Sequence, residues 1–161
     1  MITDNFLRLS GSLTAGTATG QAVTATANST NVIDLSLARD IGEGDDIYVS
    51  FSVGTAFTAA GAATLTLTVV VSAADTLPTP TTLGTGGTIA VASLVAGYTF
   101  VIRVNPQLFY SSTTNSSLGL RYLGVIYTVA TGPMTAGTIT ADVVIDIQDG
   151  KKFYASGFLV T

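Results

Sequence analysis

The residues of this sequence that could do chemistry are mostly carboxylates. The densest cluster is IGEGDD at residues 41–46, which contains Glu43, Asp45 and Asp46 and directly follows Asp40. Carboxylate oxygens on a glycine-containing loop are ligands that Ca²⁺ prefers. Because the twelve-residue spacing of a calcium loop is missing, an acidic turn in water is the better interpretation. We therefore expect no metal site here.

Asp142 and Asp146 are the best pair of carboxylates on one strand. A spacing of four residues along a strand places them on one face about 13 Å apart. This separation exceeds both geometries used in glycoside hydrolysis. We expect the two side chains to be solvated charges on an outer face.

Several reaction classes are excluded by composition. The chain has no His and no Cys, which removes Ser-His-Asp and Cys-His nucleophiles, the usual zinc ligand sets and disulfides. The glycine-rich GTGG at residues 84–87 lacks the Lys-Ser/Thr of a phosphate-binding loop, and we predict a flexible turn. These absences remove most designs of small enzymes, and we expect no cofactor.

Two clusters near the ends of the chain combine apolar and basic residues and are the candidate partner-binding residues. They are Phe6, Leu7 and Arg8 near the start, and Lys151, Lys152, Phe153, Tyr154 and Phe158 near the end. We predict that residues 1–20 form an N-terminal arm, tethered by Gly and Thr, that could add a strand to a neighbour's sheet. The second cluster is either a tail that docks on a partner or an ordinary last strand.

Charge argues against a nucleic-acid partner. Ten acidic and six basic residues give a net charge of −4, and the basic residues are too scattered to attract phosphates. The start of the chain has no basic region followed by a long apolar run, so we expect no signal peptide and an intracellular product. Apolar stretches are too short or too interrupted for a membrane-spanning helix, and no membrane partner is expected.

Hydrophobic periodicity identifies the elements that must position these residues. Apolar and polar side chains alternate with a period of two at residues 46–53, 64–71 and 138–147, which predicts half-buried strands. Weaker candidate strands lie at residues 21–27, 31–37, 88–94, 98–104 and 120–129, and the Pro- and Gly-rich residues 78–87 indicate a loop. Because no helical stripe is detectable, we predict an all-β jelly-roll sandwich of about eight antiparallel strands, with residues 21–161 as one domain.

The exterior of the predicted sandwich is unusually apolar. Residues 120–129 carry apolar side chains on both faces, and the whole chain is 47% hydrophobic and only 10% charged. Such a strand needs cover on both sides, which suggests that part of the exterior is buried against other chains. The alternative is a surface coated with Thr and Ser hydroxyls.

Three stretches carry a resemblance to a known family. They are ARDIG at residues 38–42, TAFTAAGAATL at residues 55–65 and YTVATGPMTAGTIT at residues 127–140. With these stretches, the sequence resembles the jelly-roll capsid cement, or decoration, proteins of tailed bacteriophages, as on the head of a Bordetella phage. The likeness extends from about Gln21 to the end, and it departs from the family in the longer N-terminal segment and in the polar residues 111–117.

The resemblance implies a structural role in the virion. Proteins of this family bind the outer surface of the head and hold neighbouring subunits of the major capsid protein together, often as dimers, and a trimer is also possible. A carbohydrate-binding or adhesin-like sandwich is the alternative, because the jelly-roll fold also hosts lectins. The absence of Trp weighs against it.

Overall fold

The computed structural model describes residues 4–14, 16–35, 47–104 and 120–145. Within these ranges nearly all regular structure is strand, and the helices are single 3₁₀ turns at Asn5–Leu7 and Val91–Ser93. The strands in chain order are β1 (Arg8–Ser10), β2 (Ser12–Thr14), β3 (Thr17–Thr19), β4 (Gln21–Ala22), β5 (Ala27–Asn28), β6 (Ile33–Asp34), β7 (Ile47–Ala59), β8 (Thr64–Ser72), β9 (Thr81–Ala90), β10 (Thr99–Val104), β11 (Tyr122–Ala130) and β12 (Met134–Val144). The prediction of an all-β protein is confirmed.

The strands form two antiparallel sheets of five strands and one separate two-stranded sheet. The first sheet has the order β1-β12-β7-β10, and β4 also pairs with β12. The second sheet has the order β5-β11-β8-β9, and β6 also pairs with β11. From β10 onwards, each strand lies in the opposite sheet from the strand before it. The chain therefore crosses from one sheet to the other three times between β9 and β12.

The core lies between the two sheets, as the period-two pattern requires. Val49, Phe51 and Val53 on β7 and Leu65 and Leu67 on β8 are at most 1% exposed, and they belong to one continuous hydrophobic cluster. Alternate residues of a strand point to opposite faces, so each strand supplies the core with every second side chain. The strands predicted at residues 46–53, 64–71 and 138–147 are confirmed as β7, β8 and β12, with shifted ends.

The outer face of β11 is covered in part by the chain itself. Leu77, in the connection from β8 to β9, is only 4% exposed. A Cβ added to Gly124 of β11 would lie 2.7 Å from Cδ1 of Leu77, and Gly124 pairs with Val70, which is 1% exposed. Leu77 thus covers apolar surface that we expected to need a second chain.

The predicted loop at residues 78–87 is correct only for residues 78–80, and the predicted strand at residues 88–94 is correct only for residues 88–90. Strand β9 begins at Thr81, pairs along β8 and ends at Ala90, where a 3₁₀ turn follows. Gly84 is needed inside this strand, because a Cβ there would lie 2.6 Å from the main-chain oxygen of Arg103 on β10. The glycines that suggested a turn instead allow the edges of the two sheets to approach closely.

The predicted N-terminal arm differs from the structure. Strand β1 pairs with the end of β12, and Leu9 is fully buried in the core. Residues 8–10 are therefore part of the first sheet. They fold onto it because β12 would otherwise have an open edge along its last residues, and an open edge exposes unpaired main-chain groups. Only β2 and β3 form a sheet of their own.

Candidate interaction surface

Arg8, which we predicted to bind a partner, forms an ion pair inside the protein. Its Nε lies 2.8 Å from Oδ1 of Asp142, and the two side chains are 7% and 10% exposed. The prediction that Asp142 is a solvated charge is wrong, because β1 covers it and brings the guanidinium of Arg8 to its carboxylate. Asp146 lies outside the described residues. With its charge neutralised and buried, Arg8 is not available to a partner.

A second buried polar contact links the two sheets beside this ion pair. The hydroxyls of Ser10 on β1 and Tyr127 on β11 are 2.6 Å apart and share a hydrogen bond. Both residues are fully buried. Burial raises the pKa of the Tyr127 phenol well above its ordinary value, the hydrogen bond with Ser10 lowers it, and the charge of Asp142 raises it. These groups form a structural tie between the sheets.

Phe6 and Leu7 are exposed, as an interaction residue must be. They lie in the 3₁₀ turn before β1, and their exposed fractions are 86% and 39%. The carboxylate of Asp4 accepts a hydrogen bond from the main-chain nitrogen of Phe6, which fixes the start of this turn. The other predicted partner-binding residues lie outside the described residues: Lys151, Lys152, Phe153, Tyr154 and Phe158.

Strands β2 and β3 form a two-stranded ribbon, and every residue of both strands is exposed. The sequence of this ribbon, residues 12–19, contains no charged side chain. A two-stranded hairpin alone in water is at best marginally stable. The ribbon therefore needs either a firm base or a surface that covers it.

The base of the ribbon is held by hydrogen bonds that the sequence did not suggest. The side-chain nitrogen Nδ2 of Asn31 donates to the main-chain oxygens of Arg8 and Gly11. The main-chain nitrogen of Gly11 donates to Oγ1 of Thr30. Gly11 has φ +93°, and a Cβ there would lie 2.3 Å from the oxygen of Thr19. Only glycine allows the chain to turn here from the first sheet into the ribbon.

Two open cavities flank this base. One has a volume of about 310 Å³ and includes Phe6, Leu13 and Ile33 in its lining. The other has a volume of about 400 Å³ and is lined by small and polar residues, including Gln21. The amide of Gln21 is already bonded to the main chain of Asn28 and Thr30. The polar groups of the second cavity are thus largely used within the protein, which does not favour a sugar site.

The described residues hold neither a cluster of metal ligands nor a membrane-spanning helix. Among the described residues, no group of three or more His, Cys, Asp or Glu side chains could hold a metal ion. The acidic cluster at residues 41–46 lies outside those ranges. In the part of the chain that the structure describes, no helix is long and apolar enough to cross a membrane.

The sequence was compared with curated proteins and with models of protein families. No curated protein matches the sequence. The family model Bbp16 matches residues 17–143, which run from the start of β3 almost to the end of β12 and include both sheets except β1. Since this match covers well over half of the sequence, the chain belongs to the Bbp16 family, a family of Bordetella phage proteins.

Proposed function

We propose that this protein is a capsid decoration protein that binds the outer surface of a tailed-phage head and stabilises contacts between subunits of the major capsid protein. The observation that carries the proposal is the Bbp16 match over residues 17–143. On this proposal the protein is a structural component of the virion, is made in the host cytoplasm and is not an enzyme. Self-association, as a dimer or a trimer, belongs to the same proposal.

The strand order supports a jelly roll. A jelly roll consists of two four-stranded antiparallel sheets whose strands are connected by Greek-key crossovers. The orders β1-β12-β7-β10 and β5-β11-β8-β9 have this character, because β12, the last strand of the described residues, lies between β1 and β7. Such a sandwich is stiff, and stiffness suits a protein that repeats many modest contacts over a symmetric shell.

The ribbon formed by β2 and β3 is the proposed contact with the shell. It is exposed on both strands and uncharged, and a hairpin held only at its base gains stability from any surface that covers it. Main-chain groups at its free edges could also pair with a strand of the capsid protein.

The test uses purified heads that lack this protein. We expect the full chain to sediment with such heads. Thr17→Asp combined with Ala18→Asp should weaken attachment about tenfold or more, because two carboxylates must lose water when the ribbon is covered. The matched control, Ala73→Asp with Thr79→Asp, adds the same charge at exposed positions around the β8–β9 connection and should bind as the unchanged protein does.

The outcomes separate the two parts of the proposal. If the unchanged chain never sediments with heads, the decoration function is wrong. If the chain binds and the ribbon variant binds equally well, the function stands and the ribbon is not the contact.

A further inference from the structure

An apolar patch lies at one corner of the first sheet, where β1 begins and β12 ends. We call it the apolar corner and define it as Phe6, Leu7, Leu13 and Ile145. Phe6 and Leu13 line the same cavity of about 310 Å³. The 3₁₀ turn that carries Phe6 and Leu7 contacts β12, and the pairing of Arg8 with Asp142 brings the start of β1 to the end of β12 that precedes Ile145. Four of the five large apolar side chains that are strongly exposed in the described residues thus belong to this corner.

The exposure of these side chains is large enough to need an explanation. Phe6 is 86% exposed, Ile145 71% and Leu13 44%. Single exposed apolar residues are normal on a protein surface, but a contiguous group marks a site that something covers.

The chain itself supplies a matching segment immediately beyond the corner. After Ile145 come sixteen further residues, and FYASGFLV at residues 153–160 contains five large apolar side chains and no charge. Phe153 is only eight residues beyond Ile145, a stretch that can span up to about 26–29 Å. This reach allows the segment to return to the corner from which it starts.

Charge agrees with the same arrangement. Lys151 and Lys152 directly precede the apolar segment. Asp4 is exposed and adjoins the corner, because its side chain caps the turn that carries Phe6. A segment that places its apolar residues on Phe6 can place a lysine near this carboxylate.

We propose that the apolar corner is the docking site of residues 151–160 of the same chain. The same chain is favoured over a second copy because Ile145 is itself part of the corner. A short connection gives the segment an effective concentration in the millimolar range, which a second copy in dilute solution does not reach. This inference concerns the free protein and does not depend on the proposed attachment to heads.

The absence of Trp from the sequence makes a clean test possible. Phe6→Trp places a single fluorophore in the corner. In the full chain we expect blue-shifted emission and weak quenching by acrylamide. When Phe153→Ser and Phe158→Ser are added, the emission should shift to the red and quenching should increase.

Val95→Trp is the matched control. Val95 is 55% exposed and follows Leu94, whose main-chain oxygen accepts a hydrogen bond from the main-chain nitrogen of Phe57 on β7. This part of β7 pairs with the start of β12, so Val95 lies at the opposite end of β12 from Ile145. Its fluorescence should not respond to the two tail substitutions. Circular dichroism of each variant verifies that the sandwich is intact.

Two results would overturn the proposal. If tryptophan at position 6 is quenched equally with and without the tail substitutions, the segment does not cover the corner. If the blue shift is present at high concentration and disappears on roughly hundredfold dilution, a second copy covers the corner, because only an intermolecular contact depends on concentration. A blue shift that depends on the tail and survives dilution supports docking within one chain.

Discussion

At the scale of single residues, burial determines whether a charged group pairs within the fold or is available to a partner. The sequence marks Arg8 as a contact residue and Asp142 as a solvated charge, yet the two form one buried ion pair. A buried pair is weak support for stability as long as both partners are present, but the loss of one partner leaves an uncompensated charge. The exposed pair of Arg121 with Asp34 provides a contrast within the same protein, since its side chains are 43% and 41% exposed.

Asp142→Asn should lower the free energy of unfolding by about 3–5 kcal/mol, because the guanidinium of Arg8 would remain buried without a counter-charge. Asp34→Asn makes the same chemical change in the exposed pair and should have little effect, because water and salt screen such pairs. Urea denaturation followed by circular dichroism measures both. Equal losses in the two variants would show that Asp142 is not effectively buried. Replacing both partners, with Arg8→Met and Asp142→Leu, should restore much of the loss.

Because the phenol of Tyr127 is buried, we expect the free energy of unfolding to fall at alkaline pH. Its pKa in the folded protein is raised above the ordinary value of 10.0 by burial, so above pH 10 the unfolded chain releases a proton that the folded protein keeps. The free energy of unfolding should therefore fall by about 1.4 kcal/mol per pH unit between pH 10 and the pKa of the folded state. Below pH 10 the phenol is protonated in both the folded and the unfolded state, so the free energy of unfolding keeps its full value there.

The measurement compares urea denaturation at pH 8 and pH 11 for the unchanged protein and for Tyr127→Phe. The advantage of the unchanged protein over this variant should shrink at pH 11. Tyr122→Phe keeps Tyr127 and should show the same alkaline loss as the unchanged protein. An advantage that is constant with pH would contradict the burial of the phenol.

At the scale of elements, glycine has two opposite meanings that local sequence does not distinguish. GTGG at residues 84–87 has the composition of a turn, but it lies within β9. Its Gly84 is required by the backbone of β10, which is distant in sequence. Sequence patterns report local conformational freedom, whereas Gly84 is required because the backbone of the other sheet leaves no room for a Cβ.

Gly84→Ala should destabilise the protein by about 1–3 kcal/mol, because the added Cβ collides with the main-chain oxygen of Arg103 and the strands must shift apart. Gly61→Ala is the matched control, since no atom lies within 4 Å of its added Cβ. That variant should stay within about 0.5 kcal/mol of the parent. Thermal and urea denaturation report both, and a neutral Gly84→Ala would mean that β9 and β10 are farther apart than described.

At the scale of the whole molecule, the proposed function predicts a mechanical effect on the particle. A rigid body that bridges neighbouring capsid subunits adds contacts that must break before the shell opens, and many copies add these contacts together. Heads carrying the protein should therefore release their DNA at a higher temperature than heads without it. A DNA-binding dye added during a temperature ramp detects the release. The same release temperature with and without bound protein would contradict a stabilising role.

The sequence by itself determined the secondary-structure class and most of the long strands. Alternation at residues 46–53 and 64–71 reflects a purely local rule, since successive side chains of a strand point to opposite faces. The missing His and Cys likewise excluded whole classes of chemistry without reference to the fold. The expected resemblance to phage proteins agrees with the Bbp16 match.

Only the tertiary structure decided which residues are available to a partner. Arg8 became internal because β1 pairs with β12, more than 130 residues further along the chain. Leu77 covers part of the outer face of β11, at Gly124. Asn31, a residue without any distinctive local pattern, holds the base of the ribbon. Each of these contacts joins segments that are far apart in sequence, and periodicity within one segment carries no information about which other segment will pack against it.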